Sequence, residues 1–458
     1  MPASRNTRRR IAMISDHASP LAPVGSVDSG GQNIYVAQVA RHLVRMGYGV
    51  DVFTRRDDSN LPDILPWEDG VRIIHVPAGP ASFIPKEQLL PHMEEFTRYL
   101  RKFMKRQDNR YDFIHAHFWM SALVAADLKK DLGIPYTITF HALGRVRRQH
   151  QGEADGFPDV RFEIEERTIA EADAVIAECP QDALDLQLLY GADAAKLAII
   201  PCGFDPSELW PLKQAFARES LGLPHDERII LQLGRMVPRK GVDNAVQAFA
   251  RLVQMHGVKA RMVIVGGGSE TPDPKVTPEI GRLQELAREL GVQELVTFAG
   301  RQGRKALKYY YSAADVFVST PWYEPFGITP VESMACGTPV IGSNVGGIKY
   351  TIQDGKTGYL VPPQEPDILA VRLEELCRSP SLLRRFGRQS IRRVNEFFTW
   401  KSVAESIASL YEKVLTNTEE AGYTRISHAL NTSQRLPAQS LWRSPISARE
   451  LENRPLKG

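Results

Sequence analysis

Two glutamates, Glu324 and Glu332, are separated by seven residues in the run Glu324-Pro325-Phe326-Gly327-Ile328-Thr329-Pro330-Val331-Glu332. The first follows an apolar run at 316–320, and the second falls about a turn into the helix expected after it. A carboxylate at a strand end can accept hydrogen bonds from sugar hydroxyls, and one on the next helix can take a ribose diol. Between them, the backbone N–H groups of Phe326, Gly327 and Ile328 open that helix, where unpaired donors and the helix dipole favour a phosphate. Taken singly, Glu324 is also an ordinary helix N-terminal charge and Glu332 an ordinary surface residue. The neighbouring motifs give the pair its weight.

The first of these is Leu233-Gly234-Arg235, followed by Lys240-Gly241, where a strand gives way to a helix. Glycine lets backbone approach an anion, and Arg with Lys neutralises it. The second is Asp28-Ser29-Gly30-Gly31-Gln32-Asn33, whose tandem glycines precede a helix and leave room for a phosphate. It lacks the spacing of a dinucleotide fingerprint, as does Gly266-Gly267-Gly268. The third places His141 at a strand end, with Arg145, Arg147 and Arg148 just beyond it. Such an arginine run is either a solvated face or a bidentate grip on an anionic substrate.

These residues need a frame. Apolar runs at 10–15, 50–54, 71–76, 113–117, 136–141, 174–178 and 197–201 alternate with helix-length amphipathic segments such as 31–46. That alternation predicts a mostly parallel sheet with both faces covered, a doubly wound α/β domain. It lapses over 207–225, which carries Pro211, Gly222 and Pro224 and reads as a linker. It resumes with strands at 228–233, 261–265, 296–299, 316–320 and 339–342 and a helix at 242–255. The expected organisation is a first domain at 1–206, a second at 226–396, a returning helix at 399–416 and a flexible polar tail at 420–458. Ligands of open α/β sheets bind beyond the carboxyl ends of the strands, so the site is expected in the cleft between the domains.

With 57 Lys and Arg against 54 Asp and Glu, the net charge of +3 gives no reason to expect nucleic acid as a partner. The four cysteines, Cys179, Cys202, Cys336 and Cys377, show no metal-binding spacing and suit a reducing cytoplasm. The apolar run after the basic MPASRNTRRR segment is too short for a secretory leader, and no stretch reaches the roughly 20 apolar residues that span a bilayer. Peripheral membrane contact by the basic arm stays open, as does the oligomeric state. The D-x-D triplet that would hold a divalent metal on a diphosphate is absent, so no metal and no cofactor are expected.

The segment 323–347, YEPFGITPVESMACGTPVIGSNVGG, resembles the signature of the family 4 retaining glycosyltransferases of GT-B fold, and the resemblance runs from about residue 11 to 416. That group includes sucrose-phosphate synthases, sucrose synthases and inositol-phosphate N-acetylglucosaminyltransferases. The resemblance implies a nucleotide-sugar donor in the second domain and a small acceptor in the first. It places Glu324 on the donor-sugar hydroxyls and Glu332 on the ribose. Arg235 and Lys240 hold the diphosphate, Gly30 and Gly31 face it, and His141 contacts the sugar without being an obligatory nucleophile. Gly234, Arg301, Phe326, Gly327 and Ile328 complete the donor set. Asn33, Lys86, Arg145, Arg148 and Arg161 form the acceptor set, for an anionic sugar or polyol. Phe118 and Ala142 replace the Tyr and Thr of the inositol-phosphate enzymes, while HALGRVRR at 141–148 is nearer sucrose-phosphate synthase usage. The expected reaction is metal-independent hexosyl transfer with retention, with UDP-glucose as the favoured donor. UDP-N-acetylglucosamine transfer to inositol phosphate is the near alternative. A sugar-nucleotide 2-epimerase or a non-catalytic sugar-nucleotide-binding protein are the distant ones.

Overall fold

The structure, a computed structural model, describes residues 8–22, 30–106 and 110–430. Eight short runs build the first sheet: β1 (Arg10–Ile14), β2 (Gly49–Arg55), β3 (Ile64–Pro66), β4 (Arg72–Val76), β5 (Phe113–His117), β6 (Tyr136–Thr139), β7 (Ala174–Ala177) and β8 (Leu197–Ile199). Their order is β3-β4-β2-β1-β5-β6-β7-β8, parallel throughout except for β3 against β4. The second sheet holds β9 (Arg228–Leu233), β10 (Ala260–Val265), β11 (Val296–Phe298), β12 (Val316–Ser319), β13 (Val340–Ser343) and β14 (Gly358–Val361). Its order, β11-β10-β9-β12-β13-β14, is wholly parallel. Every residue of β5, β6 and β7 is buried, as expected of parallel strands covered on both faces.

Each sheet reverses its strand order once, between β1 and β5 and between β9 and β12. A crevice opens beyond the carboxyl ends at such a reversal. The two reversals supply His17 and the helix start at Gly30–Asn33, the segment at 234–241 and the segment at 320–328, and residues of all three line one cavity.

The chain passes between the sheets twice, and the two passes touch. Phe204 N–H donates to Phe398 O at 2.8 Å, and Trp400 N–H donates to Phe204 O at 3.0 Å. The final helix, Trp400–Leu430, then returns to the first sheet, where the Tyr411 ring lies 4.7 Å from Phe113. One continuous buried cluster runs from Ile11 and Val52 through Phe204, Trp400 and Tyr411 to Ile229 and Phe317. Separate clusters cover the opposite face of each sheet.

The structure departs from the sequence pattern in five places. Two strands lacked a clear signal. β3 is a three-residue antiparallel edge strand, and β14 is a four-residue strand following the turn at Asp354–Thr357. β6 stops at Thr139 because His141 takes φ +59°, which ends the extended run. The stretch read as a linker contains a helix, Gln214–Ser220, whose buried Arg218 donates to Asp315 at 2.7 Å and to Ala313 O at 3.0 Å. The last helix continues to Leu430, beyond the end expected at 416; residues 431–458 lie outside the described residues.

Candidate active site

The cavity draws its walls from both sheets. From the first come Gly30, Gly31, Asn33, Lys86, Phe118, His141 and Arg147; from the second come Gly234, Arg235, Arg239, Lys240, Arg301, Arg304 and the segment Tyr323–Thr329 with Glu332. Asp28 and Ser29 of the glycine motif lie outside the described residues.

The glycine pair allows close approach between the halves. A Cβ on Gly30 would meet Arg235 Nε at 3.8 Å, and one on Gly31 would meet Ile328 Cδ1 at 3.4 Å. Arg235 thus lies over Gly30, with the N-terminus of the Ile328–Ala335 helix beside Gly31. Backbone donors and two cations converge there, an arrangement suited to a diphosphate. Asn33 is nearer a scaffold than a free contact. Its Oδ1 accepts from Gly30 N–H at 2.9 Å and its Nδ2 donates to Ser19 O at 2.8 Å, so the amide folds the glycine loop.

Glu324 and Lys240 form an ion pair. Burial lowers the Lys240 pKa to about 8, with Arg239 and Arg235 adding to the fall and Glu324 opposing it. Burial also lowers Arg235 to about 10, helped by Arg239 and Arg147. Burial pushes Glu324 upward, but Lys240, Arg239 and Arg235 outweigh it and hold the carboxyl below its usual range. This loop is pinned from behind: Gly347 N–H donates to Glu324 O and Pro325 O at 3.1 Å each, and a Cβ on Gly347 would lie 2.4 Å from Phe326 Cα. That contact explains the paired glycines at the end of the signature.

Glu332 is 2% exposed. Its Oε1 accepts from Arg304 Nη1 at 3.0 Å and its Oε2 from the Tyr311 hydroxyl at 2.9 Å. Arg304 also donates to Glu208 at 2.7 Å, while its Nη2 is buried without a hydrogen-bond partner. Each Glu332 oxygen retains accepting capacity, so a diol can still be bound.

His141 has both ring nitrogens occupied. Nδ1 lies 2.8 Å from Glu178 Oε1 and Nε2 lies 3.1 Å from His117 Nδ1. Burial, with the neighbouring His115 and His141, drives His117 well below the usual imidazole range, so His117 is neutral. Its Nδ1–H donates to His141 Nε2 if His141 donates to Glu178 from Nδ1. His141 therefore has no free lone pair with which to act as a nucleophile. Tyr35 meets its ring edge-on at 4.9 Å, and Trp400 of the returning helix packs on Tyr35 at 5.6 Å.

The arginines sort differently from the sequence expectation. Arg145, Arg148 and Arg161 do not line the cavity; Arg147 does. Arg145 bonds Leu189 O and Glu166, and Arg148 bonds Asp159 at 2.8 Å and Phe157 O at 3.1 Å. Arg161 is 0% exposed, donates to Glu165 at 2.8 Å and to Ala142 O at 2.5 Å, and lies 5.1 Å beneath the Phe118 ring. The cause is helix phase: on the Gly144–Gln151 helix, Arg147 is turned about 200° from Arg145 and about 100° from Arg148, so the three point in different directions. Arg147 is held by buried Asp155, its Nε 2.5 Å from Oδ1. Lys86, on the short turn Lys86–Gln88, reaches the cavity and pairs with Glu87 at 3.6 Å.

Arg147, Arg239, Arg304, Tyr323 and Glu178 line the cavity but were not singled out from sequence as site residues. Arg239 adjoins Lys240 in the run Pro238-Arg239-Lys240, and Arg147 stands in the arginine run, but neither run says which of its cations faces the cavity. Tyr323 opens the signature segment 323–347, whereas Glu178 carried no comparable signal.

Comparison with known proteins bears on this geometry. Residues 29–208 match the model described as Glycosyltransferase Family 4, and residues 213–393 match Glycosyl transferases group 1. The chain is 35% identical over 407 residues to a D-inositol 3-phosphate glycosyltransferase of Actinosynnema mirum, covering 88% of this chain and 97% of that protein. It is 36% identical over 428 residues to the protein of that name from Acidothermus cellulolyticus, covering 92% and 94%. Among solved structures, sucrose-phosphate synthase from Thermosynechococcus elongatus aligns with a TM-score of 0.82 at 35% identity, over 90% of this chain and 100% of that one. With two doubly wound sheets around one cation-rich cavity, and relatives matched over nearly their whole length, the chain belongs to the group 1, family 4 glycosyltransferases of GT-B fold, enzymes that move a sugar from a nucleotide sugar to an acceptor.

Proposed function

We propose that this enzyme transfers a hexose, with UDP-glucose the favoured donor, to a small phosphorylated sugar or polyol, with retention of anomeric configuration and without a metal ion. The observation that carries the reading is the division of cations within one cavity. Arg235 and Lys240 stand beside Gly30, Gly31 and the Gly327 helix start, where a donor diphosphate fits; Lys86 and Arg147 enter from the first sheet, where an acceptor phosphate fits. The names of the relatives support an anionic acceptor, because one refers to inositol 3-phosphate and the other to a sucrose phosphate.

Donor binding exchanges one ion pair for two interactions. Lys240 turns from Glu324 to the diphosphate, and the freed carboxylate accepts from sugar hydroxyls. Glu332 takes the ribose diol. The acceptor hydroxyl approaches the anomeric carbon on the face of the departing phosphate. The new C–O bond forms as the C–O bond to phosphate breaks, and the leaving phosphate oxygen takes the hydroxyl proton. Arg235 and Lys240 stabilise the charge that grows on the leaving group, which is why no cation need be recruited. His141, fixed by Glu178 and His117, shapes the sugar's surroundings.

A second acceptor, inositol phosphate with UDP-N-acetylglucosamine, is favoured by the 35% and 36% identity to proteins named for inositol 3-phosphate. Phe118 and Ala142, which carry no hydroxyl, weigh toward the sugar phosphate.

The test is a donor-by-acceptor screen with EDTA present. UDP-glucose, UDP-N-acetylglucosamine and GDP-mannose are each paired with fructose 6-phosphate, inositol phosphate and their unphosphorylated counterparts, reading nucleotide release and product mass. Transfer to a phosphorylated acceptor is expected. Release only with neutral acceptors removes the anionic-acceptor reading, and conversion of the donor without any acceptor replaces transfer with epimerisation.

A further inference from the structure

Arg239 has no role in the scheme above, yet its surroundings are specific. It sits in the turn Pro238–Lys240 after β9, and its carbonyl accepts from Trp322 N–H at 2.9 Å, tying this turn to the Tyr323 loop. Its guanidinium lies 5.1 Å over the Tyr323 ring. The opposite half of the molecule meets that same ring: His150 stacks with it at 4.9 Å and an interplanar angle of 16°, and Gln151 donates to its hydroxyl. His150 and Gln151 end the helix that presents Arg147 one turn earlier. Tyr323 thus joins the two halves, with Arg239 on one side of the seam and Arg147 on the other, and both arginines line the cavity.

Arg239 Nη1 is buried without a hydrogen-bond partner, and Arg239 makes no ion pair with a carboxylate among the described residues, although its charge acts on Glu324. Arg147 is held by Asp155 through Nε and Nη2, leaving Nη1 without a partner among the described residues. Arg147, Arg235, Arg239 and Lys240 share one cavity, and each acid near them is already engaged: Glu324 with Lys240, Asp155 with Arg147, Glu332 with Arg304 and Tyr311, and Glu178 with His141. Converging like charges disfavour one another unless anions enter. A donor diphosphate answers Arg235 and Lys240 beside the glycine pair. Arg239 and Arg147, at the Tyr323 seam, are left to answer a second anion.

We propose that Arg239 is a specificity-determining residue for the acceptor, binding its anionic group together with Arg147 so that the two halves of the enzyme grip one phosphate from opposite sides. This rests on the anionic-acceptor reading of the preceding section. Arginine is suited to the task because its planar fork meets two phosphate oxygens at once. A lysine would keep the charge and lose the fork.

The experiment compares wild type, Arg239→Gln, Arg239→Lys, Arg147→Gln and the double variant Arg147→Gln/Arg239→Gln in the full-length chain. Each is assayed with fructose 6-phosphate against fructose and inositol phosphate against inositol. The readout is the ratio of kcat/KM for the phosphorylated over the unphosphorylated acceptor. In Arg239→Gln that ratio is expected to fall about 10- to 100-fold, the loss of one charge-assisted grip. The fall should come through acceptor KM, with donor KM moving far less. Arg239→Lys should recover part of it, and the double variant should lose less than the product of the single losses, because both side chains hold one group. If Arg239→Gln instead raises donor KM and lowers both acceptors alike, Arg239 serves the donor diphosphate and the inference falls while the anionic-acceptor reading stands. If wild type itself shows no preference for a phosphorylated acceptor, that underlying reading falls, and this inference falls with it.

Discussion

The two walls of the cavity are built by different means. The wall proposed for the donor consists of short contiguous segments at the reversal points of the sheets: Gly234–Arg235 with Lys240 after β9, and Glu324–Glu332 after β12. Much of its binding capacity is backbone, from N–H groups at Gly327–Thr329 and room at Gly30 and Gly31, so a local run of residue types is enough to specify it. The wall proposed for the acceptor is assembled from single side chains on separate elements, Lys86 on a short turn, Arg147 on a helix, Phe118 at the end of β5 and Arg239 from the other sheet. There, which arginine faces the substrate depends on helix phase and on partners far away in the chain. On the proposed reading, chemistry shared by an enzyme class is fixed by motif, and acceptor choice by geometry.

The largest effect should come from the donor wall. Lys240→Ala is expected to lower kcat by about 100- to 1000-fold, because Lys240 acts on charge that develops as the leaving group departs. Steady-state kinetics with saturating donor would show this, and an unchanged kcat would remove Lys240 from the catalytic role. The same group sets a pH limb. Its pKa of about 8 in the free enzyme means that its positive charge is complete below that value and lost above it, so kcat/KM for the donor should fall by about tenfold per pH unit above pH 8. Bound diphosphate favours the charged form, so the limb in kcat should lie at higher pH, and Lys240→Arg should abolish it over this range.

On the acceptor wall, Arg147→Gln should raise acceptor KM by about 10- to 100-fold with smaller change in kcat, again read by steady-state kinetics. Loss through kcat alone would mean that the two walls are not separable in this way. The smallest effects should come from Arg145→Ala and Arg148→Ala. Their ion pairs to Glu166 and Asp159 are largely exposed, so acceptor KM should move by about twofold or less and Tm only slightly. A large KM change in either variant would return the whole arginine run to the substrate.

Legibility followed the same division. The parallel strands carried apolar runs long enough to be read, because both their faces are buried, and β9 and β5 were delimited to the residue. β3 was not legible because a half-exposed edge strand of three residues has no such run. Every donor-side residue named from the sequence lines the cavity: Gly30, Gly31, Gly234, Arg235, Lys240, Arg301, Glu324, Phe326, Gly327, Ile328 and Glu332. On the acceptor side Lys86 and Asn33 line it, but the Asn33 amide is bound within its own loop. Arg161 was beyond sequence reasoning altogether, since nothing in the run Val160–Glu171 announces an arginine with no exposure at all, lodged between Glu165 and the Ala142 carbonyl.

The sequence by itself determined the enzyme class, the doubly wound architecture and the glycines and charges that line the second domain's side of the cavity. It could do so because those features rest on local periodicity and on glycines and charges at fixed short spacing. The tertiary structure alone decided that Arg147 rather than its neighbours faces the cavity, that Glu178 and His117 occupy both nitrogens of His141, and that Arg239 meets the opposite half across Tyr323. Those outcomes turn on side-chain direction and on contacts between residues up to 172 positions apart, as in the Gln151–Tyr323 bond, and no local pattern encodes such distances.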